Sequence, residues 1–371
     1  MASTFKTFLS DDIASTRTLL HEAIPMTGSI VNGVTYTESD AAITNIKTYG
    51  HGMFQSVYDY PYQSSSANHV FDITQGIHPD AGLGSTTDTY YAKRKNVYNQ
   101  MAQVLVGHDV NGVVRKFDVD GDLTGGTKYN NVFFLNFARL LGKDEIKKGS
   151  FSIKLGVTDG FNADKVTMHG KLLTITDAGV SNLKVNSPAG EYGILSIETA
   201  TADTLNAAID TPALKRCGLI FYQAGIAVIT TDIFELGTDG PVSGYLATDC
   251  IMTAATQSMN ILLGANGTMD AVSDAIRQRI SNISFSNTTE LNSTIYFCRV
   301  GHNDFNYSSN PTYLENSKVR VKNKSTDAPV SYITTVGLYS ADNEMLAVAK
   351  LSEPLRKDPT NDMTLRVRLD Y

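Results

Sequence analysis

The chain has few cysteines, few charged residues and no long apolar run, and each shortage excludes a class of protein. The three cysteines, Cys217, Cys250 and Cys298, are widely spaced and form no CxxC pair, so we expect reduced, buried thiols and no disulfide framework. No window reaches the roughly 18 apolar residues of a membrane-spanning helix. Asp11 and Asp12 lie where a signal peptide would have its apolar core. We therefore expect synthesis in a reducing cytoplasm and no membrane span.

Charged residues make up 19% of the 371 positions, below the roughly 25% that is typical of globular chains. The 31 basic and 38 acidic residues give a net charge of −7. This balance argues against broad binding to nucleic acid or to anionic membranes, because both need a basic footprint. Uncharged polar residues and 29 glycines dominate instead, and this composition suits β-rich domains joined by many turns.

Catalytic signatures are also missing from the sequence. The segment around Ser243, PVSGYL, has one glycine where a GxSxG motif needs two, and no cysteine lies beside an activating base. The loops GTDGPVSG (237–244) and GANGTMDA (264–271) lack the spacing of a P-loop or of GxGxxG. The seven histidines are scattered without HxxxH or HExxH spacing. We expect that the protein is not an enzyme and uses no organic cofactor.

Short apolar runs separated by turn residues dominate the chain from position 151 onward. Examples are SFSIKLG, GEYGILSIE, STIYFCRV and CGLIFYQAGIAVITTDIF, the last of which predicts a buried hairpin. The pattern predicts an α+β, β-rich class with several antiparallel β domains or sandwiches and a partly helical N-terminal region. We predict three domains: a mixed helical and irregular domain at 1–150, a β-rich domain at 151–300 and a C-terminal β domain at 301–371.

Three segments have features of helices. Ser10 before two aspartates predicts a capped helix at the N-terminus. The segment 87–107, which Gly107 ends, has a repeating apolar face. The residues of that face are Val97, Met101, Val104 and Leu105. The third helix is predicted over 268–280, with Thr268 as its cap.

The segment TTVGLYSADNEMLAVAKLSEPL (334–355) has one of the most regular β patterns in the chain. It predicts a hairpin that turns at Ser340–Asn343 and stops at Pro354. Its alternating apolar residues are interface candidates, and they are Val336, Leu338, Leu346 and Val348. We infer that the hairpin holds a strand register, either in its own domain or with a neighbouring subunit through edge pairing. The segment 362–371 predicts a further half-buried antiparallel strand.

The loop DVDGDLTGG (118–126) places Asp118, Asp120 and Asp122 at alternate positions. Several carboxylates on a flexible, glycine-rich backbone are the ligands that calcium prefers. An EF-hand, however, has Gly at its sixth and Glu at its twelfth loop position, where this chain has Leu123 and Tyr129. The two interpretations are a calcium site and an acidic hairpin turn.

Six segments carry a resemblance to a known group of proteins. They are DDIASTRTLLHEAIPMTGSI, HGMFQSVYDYPYQSSSANHVFDIT, NVFFLNFARLLGKDEIKKGSFSIKLG, GLIFYQAGIAVITTDIF, HNDFNYSSNPTYL and YITTVGLYSADNEMLAVAKLSEPL. Through these segments, which span nearly its full length, the chain resembles virion structural proteins of T4-like marine myoviruses, those of cyanophages in particular. The C-terminal hairpin also resembles short β modules of phage baseplate and tail-fibre attachment proteins, although Ala349 and Lys350 stand where a glycine often follows.

The resemblance implies a virion component of the baseplate or tail region that assembles with other virion proteins and with copies of itself. A neck, collar or head-decoration protein is the alternative within this class. A receptor- or glycan-binding tail protein is an alternative of another class, and a virion-associated hydrolase, which would need a carboxylate pair, is a third. Tyr58, Tyr60 and Tyr62 are interface candidates, because tyrosine buries a large area at low entropy cost. Ordinary core packing is their alternative role.

Overall fold

The computed structural model divides the chain into two compact units. The larger unit is His21–Thr289, and the smaller unit combines Met1–Leu20 with Glu290–Tyr371. These limits differ from the predicted three-domain division, because strands from both sides of position 150 lie in one sheet. The structure describes residues 5–22, 26–28, 46–59, 62–81, 89–142, 144–157, 172–178, 183–198, 215–235, 245, 268–308, 314–315, 318–319, 326 and 328–370.

The protein is rich in β structure, as the sequence predicts. In chain order the strands are β1 (Ile13–Glu22), β2 (Met26–Gly28), β3 (Ile46–Thr48), β4 (Gln55–Tyr58), β5 (His69–Ile77), β6 (Asn131–Asn136), β7 (Glu145–Ile146), β8 (Ser152–Gly156), β9 (Leu172–Thr176), β10 (Tyr192–Ile197), β11 (Arg216–Phe221), β12 (Ile226–Thr230), β13 (Ile280–Phe285), β14 (Asn287–Val300), β15 (Leu314–Glu315), β16 (Lys318–Val319), β17 (Ser331–Tyr339), β18 (Met345–Lys357) and β19 (Met363–Asp370). The α-helices are α1 (Thr89–Leu105), α2 (Ala138–Leu141) and α3 (Met269–Arg279).

One antiparallel sheet forms the core of the larger unit. Its described strands lie in the order β2-β13-β8-β9-β10-β11-β12-β6-β5-β4-β3. Side chains on both faces of its central strands are buried: along β6, Phe133 and Leu135 belong to one apolar cluster, and Val132 and Phe134 belong to another. A strand that is covered on both faces needs apolar residues at successive positions, which explains continuous runs such as NVFFLN. The predicted buried hairpin is confirmed as the antiparallel pair β11–β12.

Helix α1 packs on one face of this sheet, where Tyr98 and Leu105 join the cluster of Val132 and Phe134. Gly76 of β5 permits the close approach, since a Cβ atom there would lie 2.9 Å from Tyr98 Cα. The helix is confirmed, and Gly107 follows it with a positive φ of 73°. The predicted apolar face is wrong at Val104, which is exposed.

Helix α3 follows the predicted pattern closely. The Thr268 side chain accepts a hydrogen bond from Ala271 N over 3.1 Å, which satisfies an N–H group that the first helical turn leaves free. Ala275 and Ile276 are buried in the cluster that contains Phe133. Met269 of the same helix is buried in the cluster of Val132 and Phe134, so α3 contributes to both apolar clusters.

The predicted N-terminal helix is wrong. Ser10–Asp12 form a single 3₁₀ turn, and the chain then continues as strand β1. Asp12 Oδ2 accepts a hydrogen bond from Leu9 N over 3.0 Å. The aspartate therefore satisfies a backbone N–H group of this turn, and no α-helix follows it. Ile13, Thr16 and Thr18 of this strand are β-branched, and such residues favour a strand.

In the smaller unit, β14 lies between β1 and β19. Strand β19 pairs antiparallel with β14 from Asp370 opposite Ser293 to Met363 opposite Val300. Val367 is buried while Arg366 and Arg368 are exposed, which confirms the predicted half-buried strand. The C-terminal strand therefore pairs within its own chain.

Candidate functional site

Strands β17 and β18 form a two-stranded ribbon in the smaller unit, and neither pairs with any other described strand. The predicted turn is confirmed: Ser340 N donates to Glu344 O over 2.8 Å, and Asn343 N donates to Ser340 O over 3.1 Å. Asn343 has a φ of 64°, a left-handed conformation that asparagine tolerates better than most residues. The hairpin follows from local sequence chemistry.

The two faces of this ribbon differ, and they divide the predicted interface residues into two pairs. Opposite residues in the ladder share a face, so Val336 and Leu338 lie on one face with their partners Ala349 and Ala347. Leu338 is 6% exposed and Val336 is half-buried. We call this side the inner face, and its two apolar residues are packing residues of the smaller unit.

The other side of the ribbon, which we call the outer face, consists of Tyr339, Leu346 and Val348. Leu346 is 68% exposed and Val348 is 60% exposed, and Tyr339 is nearly half exposed. Val348 lies opposite Gly337, and a Cβ atom at Gly337 would lie 2.9 Å from the ring of Tyr339. The tyrosine ring therefore covers the glycine beside Val348 and makes one continuous apolar patch.

Pro354 does not end the hairpin, as the sequence suggests, because β18 continues to Lys357. The ladder is instead interrupted: Ile333 pairs with Leu355 and Thr335 pairs with Lys350, so Leu351–Pro354 lie opposite a single residue of β17. Proline donates no backbone hydrogen bond, and a bulge tolerates this loss. The bulge and the proline disrupt the free edge of β18, a common defence against edge-to-edge pairing.

The predicted tyrosine cluster is described in part. Tyr58 ends strand β4, and its ring centroid lies 6.2 Å from that of Tyr62, which is exposed. The ring of Tyr58 also makes an edge contact with His69 at 5.5 Å. Tyr60 lies outside the described residues. The two described tyrosines thus sit together at one end of the β4–β5 pair.

Sequence reasoning missed a polar group on β4 and β5, because strand pairing, which places Ser56 opposite Asp72, brings its members together. Ser56 Oγ donates to Asp72 Oδ1 over 2.5 Å, and His69 Nε2 lies 2.7 Å from the same oxygen. Burial raises the pKa of Asp72, but the hydrogen bonds from His69 and Ser56 outweigh burial and hold it below its ordinary value. In a Ser-His-Asp triad the serine hydroxyl forms a hydrogen bond with the histidine. Here the carboxylate of Asp72 lies between Ser56 and His69. This arrangement does not activate Ser56 as a nucleophile.

The structure brings the three predicted aspartates together in one turn. One oxygen from each of Asp118, Asp120 and Asp122 lies within 4.8 Å of the others. Lys128, which sequence reasoning did not include, pairs with Asp118 Oδ2 at 3.0 Å, and Leu123 N donates to the same oxygen over 2.8 Å. The turn therefore supplies its own cation and backbone donor to the buried carboxylate.

The carboxylates of Asp120 and Asp122 also accept hydrogen bonds from the backbone of the turn. Asp122 N lies 3.3 Å from Asp120 Oδ1, and Thr124 N donates to Asp122 Oδ1 over 2.7 Å. Burial raises the pKa of Asp118, and its neighbours Asp122 and Asp120 add to the rise against the effect of Lys128. These contacts describe an acidic turn stabilised by one lysine, and calcium binding here stays a prediction.

Of the predicted thiols, Cys217 is buried and Cys298 is half-buried, and neither forms a disulfide. Burial raises the pKa of Cys217, which makes it a poor nucleophile. Cys250, Ser243 and most of the two glycine-containing loops lie outside the described residues.

No family model, curated protein or solved structure matches this chain. Among the described residues, no helix is both long enough and apolar enough to span a bilayer.

Proposed function

We propose that the protein is a structural subunit of a tailed-phage virion and that it belongs to the baseplate or tail region. It acts there by protein–protein assembly. The observation that carries this proposal is the outer face of the β17–β18 ribbon. Its three apolar side chains are exposed on a regular element whose other face is packed. Contiguous exposed apolar groups mark contact surfaces more often than scattered ones do.

The geometry favours contact through the face of the ribbon over addition to the free edge of β18. The bulge at Leu351–Pro354 interrupts this edge, whereas Leu346 and Val348 lie on the regular part of the ladder. Burying a valine or leucine side chain contributes about 1.5–3 kcal/mol, so a few such residues can anchor an interface. Repetition of the contact in a symmetric particle would multiply this small gain.

The resemblance of the six sequence segments to myovirus virion proteins supports the particle as the place of assembly. A baseplate or tail position is consistent with the likeness of the hairpin to short β modules of attachment proteins. A neck, collar or head position would use the same outer face. Location therefore has to be measured on particles.

The test compares two exposed valines in phage particles. Val348 on the outer face is 60% exposed, and Val113, in a loop of the larger unit, is 62% exposed. We expect Val348→Asp to reduce incorporation of the protein into purified particles by about tenfold or more, since a charge buried at an apolar contact is costly. We expect Val113→Asp to be incorporated normally, and both variants to unfold at the same denaturant concentration as the unmodified protein.

Quantitative mass spectrometry of purified particles measures incorporation, and a particle map assigns the position. Normal incorporation of Val348→Asp would show that the outer face is not the assembly contact. Absence of the unmodified protein from particles would overturn the virion role itself.

A further inference from the structure

A groove of about 710 Å³ runs along strand β17 in the smaller unit. One wall is formed by β17 itself, from Ser331 to Tyr339. Phe5–Phe8 and Phe297–Val300 of β14 also line the groove, and the ring of Phe5 makes an edge contact with that of Tyr339 at 5.2 Å. Because a strand rises about 3.3 Å per residue, nine residues of β17 give the groove a length of up to about 30 Å.

The groove faces the edge of β17. Successive side chains of a strand point to opposite faces, so a groove against one face would be lined by alternate residues only. Here every residue of β17 lines the groove, including residues whose side chains point to opposite faces of the strand. The other edge of β17 forms the ladder with β18. On the groove side, the backbone of β17 makes no hydrogen bond with another described strand. Roughly every second residue of an edge strand directs an N–H and a C=O group outward, so β17 presents a row of donors and acceptors to the groove.

Seven of the described lining residues of the groove are aromatic, and several of these rings are exposed. Tyr332 is 54% exposed and Phe5 is 52% exposed, and Tyr307 and Phe305 are also among the exposed large side chains. Aromatic rings that flank a free strand edge provide pockets for the alternate side chains of an added strand. The groove thus offers the two features that strand addition uses, a main-chain ladder and apolar pockets.

The charges of the groove are balanced within the chain. Its three charged lining residues are Lys6, Asp12 and Arg299. Arg299 pairs with Asp12 at 2.6 Å, and Lys6 pairs with Asp304. An added charge in the groove would lose hydration and would meet no free counter-charge among the described lining residues, so this lining is complementary to an uncharged segment.

We propose that this groove accepts an extended, uncharged, apolar segment of another virion polypeptide as a strand added to β17. The inference rests on the proposed function for the identity of the partner, and it deepens that function by naming the mode of contact. Main-chain hydrogen bonds to β17 supply affinity with little dependence on sequence, and the aromatic walls supply selectivity. The groove and the outer face share Tyr339, whereas Leu346 and Val348 of the outer face do not line the groove.

The test uses the full chain and a fluorescent, capped peptide of alternating threonine and valine. A matched peptide with the same side chains carries N-methyl groups on alternate amides, which remove its main-chain donors. In fluorescence anisotropy titrations we expect the N-methylated peptide to bind at least about tenfold more weakly, a difference of about 1.4 kcal/mol. We also expect the unmodified peptide to slow hydrogen exchange at the amides of β17.

Two protein variants provide the second arm. Tyr332→Glu places a charge in the groove, and Leu346→Glu places the same charge on the outer face of the ribbon, where the side chain is at least as exposed. We expect Tyr332→Glu to weaken binding of the peptide at least about tenfold and Leu346→Glu to change it less than about twofold. If Tyr332→Glu fails to fold, the comparison of the two peptides, each titrated with the unmodified protein, still tests strand addition.

Equal affinity for the two peptides, or no binding up to the solubility limit of the unmodified peptide, would overturn strand addition. A dimer of the unmodified protein that Tyr332→Glu dissociates would show that a second copy occupies the groove, which also overturns the proposal of a different partner. None of these results depends on particles. Failure of the groove hypothesis is therefore distinguishable from failure of the virion role.

Discussion

Lys128 Nζ lies 3.0 Å from Asp118 Oδ2, so a lysine supplies the positive charge at the centre of the three-aspartate turn. Asp118 is buried, and its Oδ1 atom makes no hydrogen bond among the described residues. The same turn therefore holds an internal ion pair and one unsatisfied carboxylate oxygen. Any calcium ion would have to compete with Lys128 for Asp118.

This competition leads to the first prediction. We expect Lys128→Met to bind calcium at least about tenfold more tightly than the unmodified protein, because removal of the ammonium leaves three carboxylates close together without a cation. Isothermal titration calorimetry measures the affinity, and Lys128→Met combined with Asp120→Ala is the control that should lose it. Equal calcium affinity with and without Lys128 would contradict a shared site.

The second prediction concerns a buried carboxylate in the larger unit. Asp177 accepts hydrogen bonds from Gly149 N over 2.8 Å, Phe151 N over 2.9 Å and Tyr222 Oη over 3.1 Å. Because it leaves buried donors without an acceptor, Asp177→Ala should lower the free energy of unfolding at neutral pH by about 2–3 kcal/mol. Tyr222→Phe removes one of these bonds and should cost about 1 kcal/mol. Urea denaturation monitored by circular dichroism measures both.

The same carboxylate should make stability depend on pH. Burial raises the pKa of Asp177 above its ordinary value, although the backbone and Tyr222 hydrogen bonds oppose the rise. The unfolded chain therefore ionises this group at lower pH than the folded protein does. As a result, its contribution to stability decreases as pH rises from about 3.8 through the raised folded pKa, and is constant above it. In Asp177→Ala this part of the pH dependence of stability should be absent. If the free energy of unfolding of the variant changed with pH as that of the unmodified protein does, the prediction would be wrong.

The third prediction tests the tight packing of the central sheet. A Cβ atom on Gly218 of β11 would overlap the backbone of Val228 and Ile229 on β12, whereas one on Gly125 would meet nothing within 4 Å. We expect Gly218→Ala to lower the free energy of unfolding by about 2 kcal/mol or more, as overpacking against backbone does. Gly125→Ala should change it by less than about 0.5 kcal/mol. Similar midpoints of thermal unfolding for the two variants would argue against this packing.

The fourth prediction separates the two faces of the ribbon. Leu338 is 6% exposed on the inner face, and Leu346 is 68% exposed on the outer face. We expect Leu338→Ala to destabilise the protein by about 2–3 kcal/mol and Leu346→Ala by less than about 0.5 kcal/mol. Chemical denaturation measures the difference. A loss of stability at Leu346 as large as that at Leu338 would show that the outer face is packed within the chain.

Local chemistry explains which elements could be predicted from sequence. Helix α3 begins at its Thr268 cap, the ribbon turns at Ser340–Asn343, and β19 follows its alternation of apolar and polar residues. Each of these signals lies within a few neighbouring residues. The N-terminal error has the same origin: Ser10 and the two aspartates are good capping residues, but the β-branched residues that follow pair as a strand with β14.

The candidate site was predictable in part. The alternation around Val336 and Val348 indicates a hairpin, but periodicity does not tell which face is covered. In the structure Leu338 is 6% exposed and Leu346 is 68% exposed, so the inner face is the covered one. The groove was not predictable, since Phe5, Phe297 and Tyr332 come from three distant segments.

The sequence by itself determined that the protein is rich in antiparallel β structure, that helices α1 and α3 form and that the ribbon turns at Ser340–Asn343, because propensity, capping and alternation act over a few residues. Only the tertiary structure decided that residues on both sides of position 150 share one sheet, that Lys128 lies against Asp118, and that one edge of β17 pairs with no other described strand. These features depend on strand order and on contacts between segments far apart in the chain. No local pattern encodes such contacts.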